Sequence, residues 1–499
     1  MLANTFQDSA KKTAVIPLLA LDSQASVANI PFVFFFENAL GSSSSSKSFM
    51  PTELLLSSLE RALAEFPILQ GHLVANTSGD FAVSVDSETV NKPKFGESHS
   101  NLHFADLRDK GYDWSLWPVD LLSKDVLMQA MADSIIKLLD IHVVRFRDDS
   151  GVAILVCIPH AVVDGRGYFA FVNRWAEICR QTATTADTSG VLSSSPLLVD
   201  RELVMQSVRD IKPSELGELA MAPYQHSWFA DILSYLSPAR RGWLLSTLSG
   251  LAKADCHIFR IKQSTLDEIR DDIAEHVPKG VRISDNDIIC GLVGKVFAQA
   301  QSSNRVQSAT GIITYATSWL SSWFHDGTND AQQLLTVALD IRHRVGIPLN
   351  YTGNSMLGVS VQNSLRDMAS PITSKSLAEA ALSVRRAVDS FDKRTIAAQV
   401  NVACDNPSWF TRPIVNLTSK QHSVIFSNQT RFEMYRCNFG YGRPARVAGA
   451  MSKSPNLVTI IPSGSGRAPS VDVMISATPC DMERIMGNEY WMSKVGLIM

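Results

Sequence analysis

No apolar run in this chain approaches the roughly 18 residues needed to cross a bilayer as a helix. The stretch Ala14 to Leu21 near the start is short, is interrupted by Pro17 and has no small-residue cleavage site, so it reads as neither a signal peptide nor an anchor. The C-terminal Gly-Leu-Ile-Met matches no lipidation or retention signal, and a cytoplasmic protein without a membrane partner is expected. Long Lys/Arg runs are also missing, and the net charge is only -3, which argues against nucleic acid as the main partner. The seven cysteines, at 157, 179, 256, 290, 404, 437 and 480, form no Cys-x-x-Cys and no metal-ligand spacing. They imply a reducing compartment, no disulfide framework and no metal site.

What remains is a chain of 499 residues, 45% hydrophobic and 19% charged, too long for a single hydrophobic core. Alternating strand-like and helix-like segments in both halves predict an α/β architecture. The polar, short-side-chain stretch Thr182 to Pro196 cannot bury enough surface to fold alone and predicts a linker. The expected division is 1–181, a crossover of 182–220, and 221–499. Two large units in one chain favour a monomer.

The run Val152 to Ile158 is apolar throughout and rich in β-branched residues, which reads best as a strand buried on both faces, although periodicity alone also fits a buried helix. Pro159 ends it, and Asp164-Gly165 signals a turn. Tyr168, Phe171, Val172, Trp175, Ile178 and Cys179 then recur at helical spacing. His160 is thereby delivered from a core strand into a tight strand-to-helix turn, a good place for a base. Two further stretches stand out. Val337 to Val345 reads as a strand with Asp340, Arg342 and Arg344 on one face. In Cys437 to Pro444, Gly440 and Gly442 flank an aromatic residue, implying φ > 0 or a close backbone approach. A helix near 129–139, a strand over Leu138 to Phe146, and Ser264 as a helix N-cap complete the expectations used below.

In this order, His160-x-x-x-Asp164-Gly165, Asp340-x-Arg342-x-Arg344 and Asn438-Phe-Gly-Tyr-Gly442 resemble the BAHD acyltransferase family, which uses acyl-CoA thioesters to acylate alcohols or amines. Pro17-Leu-Leu-Ala-Leu-Asp22, the Leu54 to Leu73 region, Phe171 to Ile178 and Gly353-Asn354 extend the similarity over nearly the whole chain. Its divergent form looks similar to fungal members that decorate secondary metabolites. Asn438 stands where the family usually has Asp, and Tyr441 where it has Trp. Condensation domains share His-x-x-x-Asp but usually place a second His before the first; here that residue is Pro159.

The resemblance implies two chloramphenicol-acetyltransferase-like domains of mixed sheet flanked by helices, with a solvent channel between them. It implies acyl-CoA, most simply acetyl-CoA, as co-substrate, with no permanently bound cofactor. The acceptor would be a small-molecule alcohol such as a hydroxylated terpenoid, polyketide or alkaloid. His160 and Asp164 are the candidate catalytic residues, His160 as general base for direct transfer. By spacing Asp164 can orient the imidazole; the resemblance instead implies a salt bridge to Arg342 or Arg344. Gly165, Asp340, Arg342, Arg344, Asn438, Phe439, Gly440, Tyr441 and Gly442 are candidate structural supports. Lys262 and Ser264 lie in a segment that similar enzymes use for the 3′-phosphoadenosine end of CoA. The oxyanion stabiliser stays open between backbone N–H groups and hydroxyls such as Ser318 or Tyr441, and His325 is a competing base. N-acylation of an amine, or metabolite binding without catalysis, are the alternative readings.

Overall fold

The computed structural model describes residues 13–23, 29–39, 48–75, 81–86, 94–122, 136–184, 198–211, 254–302, 331–405, 422–449, 455–464 and 469–498. Their strands form sheets of four, five and seven strands. The five-stranded sheet is built around Gly151–Pro159, in which every residue is buried. A run of nine apolar or small residues has no polar face to offer water, so both of its faces must be covered. Val152, Ile154, Val156 and Ile158 pack with residues of the helices Thr52–Glu65 and Gly165–Thr184. On the opposite face Ala153, Leu155 and Cys157 meet Trp114 and Trp117, together with Ile258 and Met474 of the seven-stranded sheet. The central strand thus touches both halves of the chain.

Asn29–Glu37 and Asp140–Phe146 pair antiparallel with Gly151–Pro159 on either side. The outer position beside Asn29–Glu37 is taken by Arg446–Gly449, from far along the chain. In the seven-stranded sheet Gln332–Asp340, Ser423–Asn428 and Leu457–Pro462 run parallel. Ser470–Ala477 is antiparallel to the last of these, and Asp255–Lys262 is antiparallel to Ser470–Ala477. Two reversals restore the direction, so Asp340 and Lys262 end at the same edge of the sheet. Four strand spacings separate them, about 19 Å.

Several expectations change. The strand expected over Val337 to Val345 stops at Asp340, and Arg342–Val345 is a helical turn. Ile341 already has helical dihedrals, and Gly346 closes the turn at φ 77°. Alternation therefore does not govern Arg342 and Arg344, which point to different partners. Ser264 is not an N-cap, because the helix Gln263–Ile273 starts before it and Lys262 holds the cap position. The first strand leading to the centre begins at Asp140 rather than Leu138, after the short strand Ile136–Lys137. The helix expected near 129–139 otherwise falls on 129–135, outside the described residues.

Of the expected linker, 182–184 complete the helix Gly165–Thr184, and 185–197 and 212–220 lie outside the described residues. Between them the helix Glu202–Val208 buries Val204 and Val208 in the core of the second half.

Candidate active site

His160 follows directly on the central strand and is half-buried, while Ala161, Val162, Val163 and Asp164 in the turn after it are buried. Its Nδ1 lies 3.0 Å from Oδ1 of Asn354. The Asn354 Nδ2 donates to the His160 carbonyl at 2.7 Å and to Oδ1 of Asp22 at 3.0 Å. Among the described residues no polar group reaches Nε2 of His160. One amide from the second half thus grips both the ring and the backbone of the histidine.

Asp164 does not orient the imidazole. Its Oδ1 accepts the Gly167 N–H at 3.0 Å. Its Oδ2 accepts the N–H and hydroxyl of Ser355, each at 3.2 Å, and Nη1 of Arg342 lies 2.8 Å away. Arg342 also donates to Asp340 at 3.0 Å and to the carbonyls of Tyr351 and Gly353 at 3.0 and 3.1 Å. Burial works against its charge, but Asp164 and Asp340 outweigh that and hold its pKa above the ordinary arginine value. Burial likewise opposes the charge of Asp340, and Arg342 outweighs it, lowering the carboxyl's pKa. Arg344 takes no part here: its Nη1 donates to the Phe391 carbonyl at 2.6 Å.

Gly165 is required for a reason other than turn geometry. It has no positive φ; a Cβ there would stand 2.2 Å from the ring of Phe432. At Gly167 a Cβ would meet the Thr352 carbonyl oxygen at 2.1 Å, so the helix start lies directly against the 351–355 segment. The glycines of the C-terminal loop are conformational, with φ 100° at Gly440 and 97° at Gly442. Asn438 Oδ1 accepts the Gly440 N–H at 2.9 Å, and buried Phe439 stacks edge-on against Trp175 at 4.8 Å. Tyr441 packs on Phe49 at 5.2 Å. This loop touches the helix at Arg180, fifteen residues and about 22 Å of helix rise beyond Gly165. That distance leaves Tyr441 a packing residue and removes it as an oxyanion donor.

Lys262 and Ser264 are exposed at the sheet edge that also carries Asp340. Ser318 and His325 lie outside the described residues. An open cleft along the outer face of the helix Gly165–Thr184 is lined by Arg166, Phe169, Asn173, Phe432 and Arg436, and His160 does not face it. The position of the imidazole relative to its hydrogen-bond partners, and not the size of that cleft, marks the candidate site. Asn354 and Asp22 fall within family-like stretches of the sequence that mark no role for either, and nothing local marks Ser355. Asn354 follows Asp340 by only fourteen residues, and a turn that brings Arg342 to Asp164 also carries Asn354 to His160.

The family model described as Transferase family matches residues 6–492. Putrescine hydroxycinnamoyltransferase 1 of Oryza sativa subsp. japonica is 24% identical over 92% of this chain and 91% of its own length. Phenolic glucoside malonyltransferase 2 of Arabidopsis thaliana is 23% identical over 60% of this chain, and the match spans 56% of that relative. Among solved structures, TRI101 of F. graminearum complexed with coenzyme A and deoxynivalenol superposes with a TM-score of 0.70 at 15% identity, over 97% of this chain and all of that one. Vinorine synthase gives 0.56 at 14% identity, over 97% of both chains. These likenesses carry the two-domain, chloramphenicol-acetyltransferase-like fold. No helix among the described residues is long and apolar enough to cross a membrane. With the family model matched over residues 6–492, the chain belongs to the BAHD acyltransferases, enzymes that take their acyl group from acyl-CoA.

Proposed function

We propose that this enzyme moves an acyl group, most simply acetyl, from CoA directly to the hydroxyl of a secondary metabolite such as a terpenoid, polyketide or alkaloid, with His160 as general base. The observation that carries this reading is the Asn354 grip on the Nδ1 side of the ring, which leaves Nε2 for a substrate. The hydroxyl proton passes to Nε2 as the oxygen bonds to the thioester carbonyl carbon. Collapse of the tetrahedral intermediate breaks the C–S bond, and the imidazolium returns the proton to the departing thiolate. General-base assistance of this kind contributes about 10²–10⁴-fold, and holding both substrates in place adds to it.

Three of the buried cysteines are poor candidates for a covalent acyl-cysteine route. Burial pushes the Cys179 thiol up to about 11 and raises Cys290 and Cys437 well above the ordinary thiol range. Lys262 and Ser264 fit the phosphoadenosine end of CoA: they are exposed, and they share the sheet edge at which Asp340 closes the Arg342 cluster.

The test is product formation, followed by mass spectrometry, with acetyl-CoA and a panel of hydroxylated metabolites and amines. Wild type should acylate at least one alcohol, and folded His160→Ala should be at least a hundredfold slower. Equal rates would remove His160 from the base role. Product from amines alone would make the enzyme an N-acyltransferase, and no turnover or acyl-CoA binding would favour a non-catalytic binder.

A further inference from the structure

Asp22 and Arg201 lie far from each other in sequence and outside the His-x-x-x-Asp turn, yet both are buried beside it, at 2% and 5% exposure. Nη1 of Arg201 donates to Oδ1 of Asp22 at 2.6 Å, and Nη2 donates to the carbonyl of Val162, two residues after His160. The other Asp22 oxygen accepts the Leu19 N–H at 3.1 Å. Asp22 Oδ1 also accepts both the N–H of Asn354, at 3.3 Å, and its side-chain Nδ2, at 3.0 Å.

These contacts decide which way the Asn354 amide faces. The Asp22 carboxylate and the His160 carbonyl are acceptors without a proton to give, so the group between them has to be the NH₂. The amide oxygen is then left facing His160 Nδ1, where an acceptor demands a donor. The ring must carry its proton on Nδ1, and Nε2 must carry the lone pair that a general base needs.

Resting on the reading of His160 as that base, we propose that the Asp22–Arg201 ion pair is a positioning device that sets the tautomer of His160 by fixing the orientation of the Asn354 amide. Arg201 holds Asp22 in place and anchors the histidine turn through Val162. Asp22 in turn holds Asn354, and Asn354 holds the ring. Neither charged residue touches substrate. With Asp22 neutralised, only the His160 carbonyl still favours the present face of the amide, and each flip presents an NH₂ to Nδ1 and selects the tautomer with a proton on Nε2.

The test reads the ring nitrogens directly. Protein labelled with ¹⁵N-histidine is compared with His160→Ala, which identifies the His160 signals among the eleven histidines. At a pH where the ring is neutral, wild type should show a single tautomer protonated on Nδ1. Asp22→Asn, and the double variant Asp22→Asn/Arg201→Met that leaves no buried unpaired guanidinium, should show a mixture of tautomers. Their kcat should fall at least tenfold with both KM values within twofold of wild type. A wild-type ring protonated on Nε2 overturns the proposal without recourse to any variant. Folded variants with unchanged kcat, or with lost kcat but the wild-type tautomer, overturn it too. Failure of the base reading looks different: His160→Ala would then stay active, whereas an inactive His160→Ala beside a fully active Asp22→Asn defeats the positioning role alone.

Discussion

Arg342 and Asp164 stand 2.8 Å apart with side-chain exposures of 1% and 6%, joining the turn after the central strand to the turn after the Gln332–Asp340 strand. This pair, and not a contact between Asp164 and the imidazole, is what the His-x-x-x-Asp spacing produces. A buried ion pair is costly to break because the surviving partner is left charged in a dry site. Arg342→Ala should therefore lower unfolding stability by about 3–5 kcal/mol in urea titrations. The double change Asp164→Leu/Arg342→Met should restore part of that stability but not the turnover. Equal destabilisation by the single and double changes would contradict the account.

Gly165 and Gly167 should respond differently to alanine. At Gly165 the obstacle is the ring of Phe432, a side chain that can be trimmed, so Gly165→Ala should cost about 1–3 kcal/mol and be rescued by Phe432→Leu. At Gly167 the obstacle is a backbone oxygen, that of Thr352, which no substitution removes. Thermal melts and activity of the two alanine variants and the Phe432 combination separate the cases; rescue of Gly167→Ala by Phe432→Leu would count against this assignment.

The C-terminal loop should tolerate reversion to the usual family residue at one position and not truncation at the next. Asn438 uses its Oδ1 to accept the Gly440 N–H, a task a carboxylate performs equally well, so Asn438→Asp should alter stability by less than about 1 kcal/mol and leave kcat unchanged. Phe439→Ala should cost about 3–5 kcal/mol by opening a cavity beside Trp175. A large activity loss in folded Asn438→Asp would give the loop a role beyond packing.

Lys295 supplies a pH signature unrelated to catalysis. It is 1% exposed in the helix Asp285–Ser302, donates to the Asp367 carbonyl and the Ser370 hydroxyl, and burial lowers its pKa to about 8. An unfolded lysine keeps its proton to about pH 10.4, so between the two values the unfolded chain binds more protons. This group's contribution to stability therefore rises as pH rises from about 8 towards 10. Lys295→Met should stabilise the enzyme near pH 7, on the order of 1–2 kcal/mol, and the advantage should shrink towards pH 10. Denaturation midpoints at the two pH values test this, and a pH-independent difference would show that the lysine does not titrate as described.

At the sheet edge, Lys262→Ala should raise the KM for acyl-CoA several-fold and leave kcat alone. It should also abolish discrimination between CoA and dephospho-CoA as inhibitors. Unchanged discrimination would place the phosphoadenosine end elsewhere.

The amino-acid sequence by itself determined a good deal. Seven apolar residues from Val152 to Ile158 can only be satisfied by cover on both faces, and the strand is buried from end to end. His160 at its exit, the need for glycine at 440 and 442, which the structure resolves as positive φ, and the α/β alternation were all legible for the same local reasons. The family was readable from the order of its motifs along the chain.

Tertiary structure alone decided which partners those residues meet. Period-two reasoning put Arg342 and Arg344 on one strand face, but the helical turn from Arg342 to Val345 sends one to Asp164 and the other to Phe391. Nothing local to Gly165 announces Phe432, because a steric requirement set 267 residues away leaves no mark in backbone propensity. The Arg201–Asp22–Asn354–His160 series joins four distant segments, and a hydrogen bond between such segments follows from how the two halves pack. Local pattern carries the identity of an element; long-range packing chooses its neighbours, and here those neighbours set the face that the histidine presents.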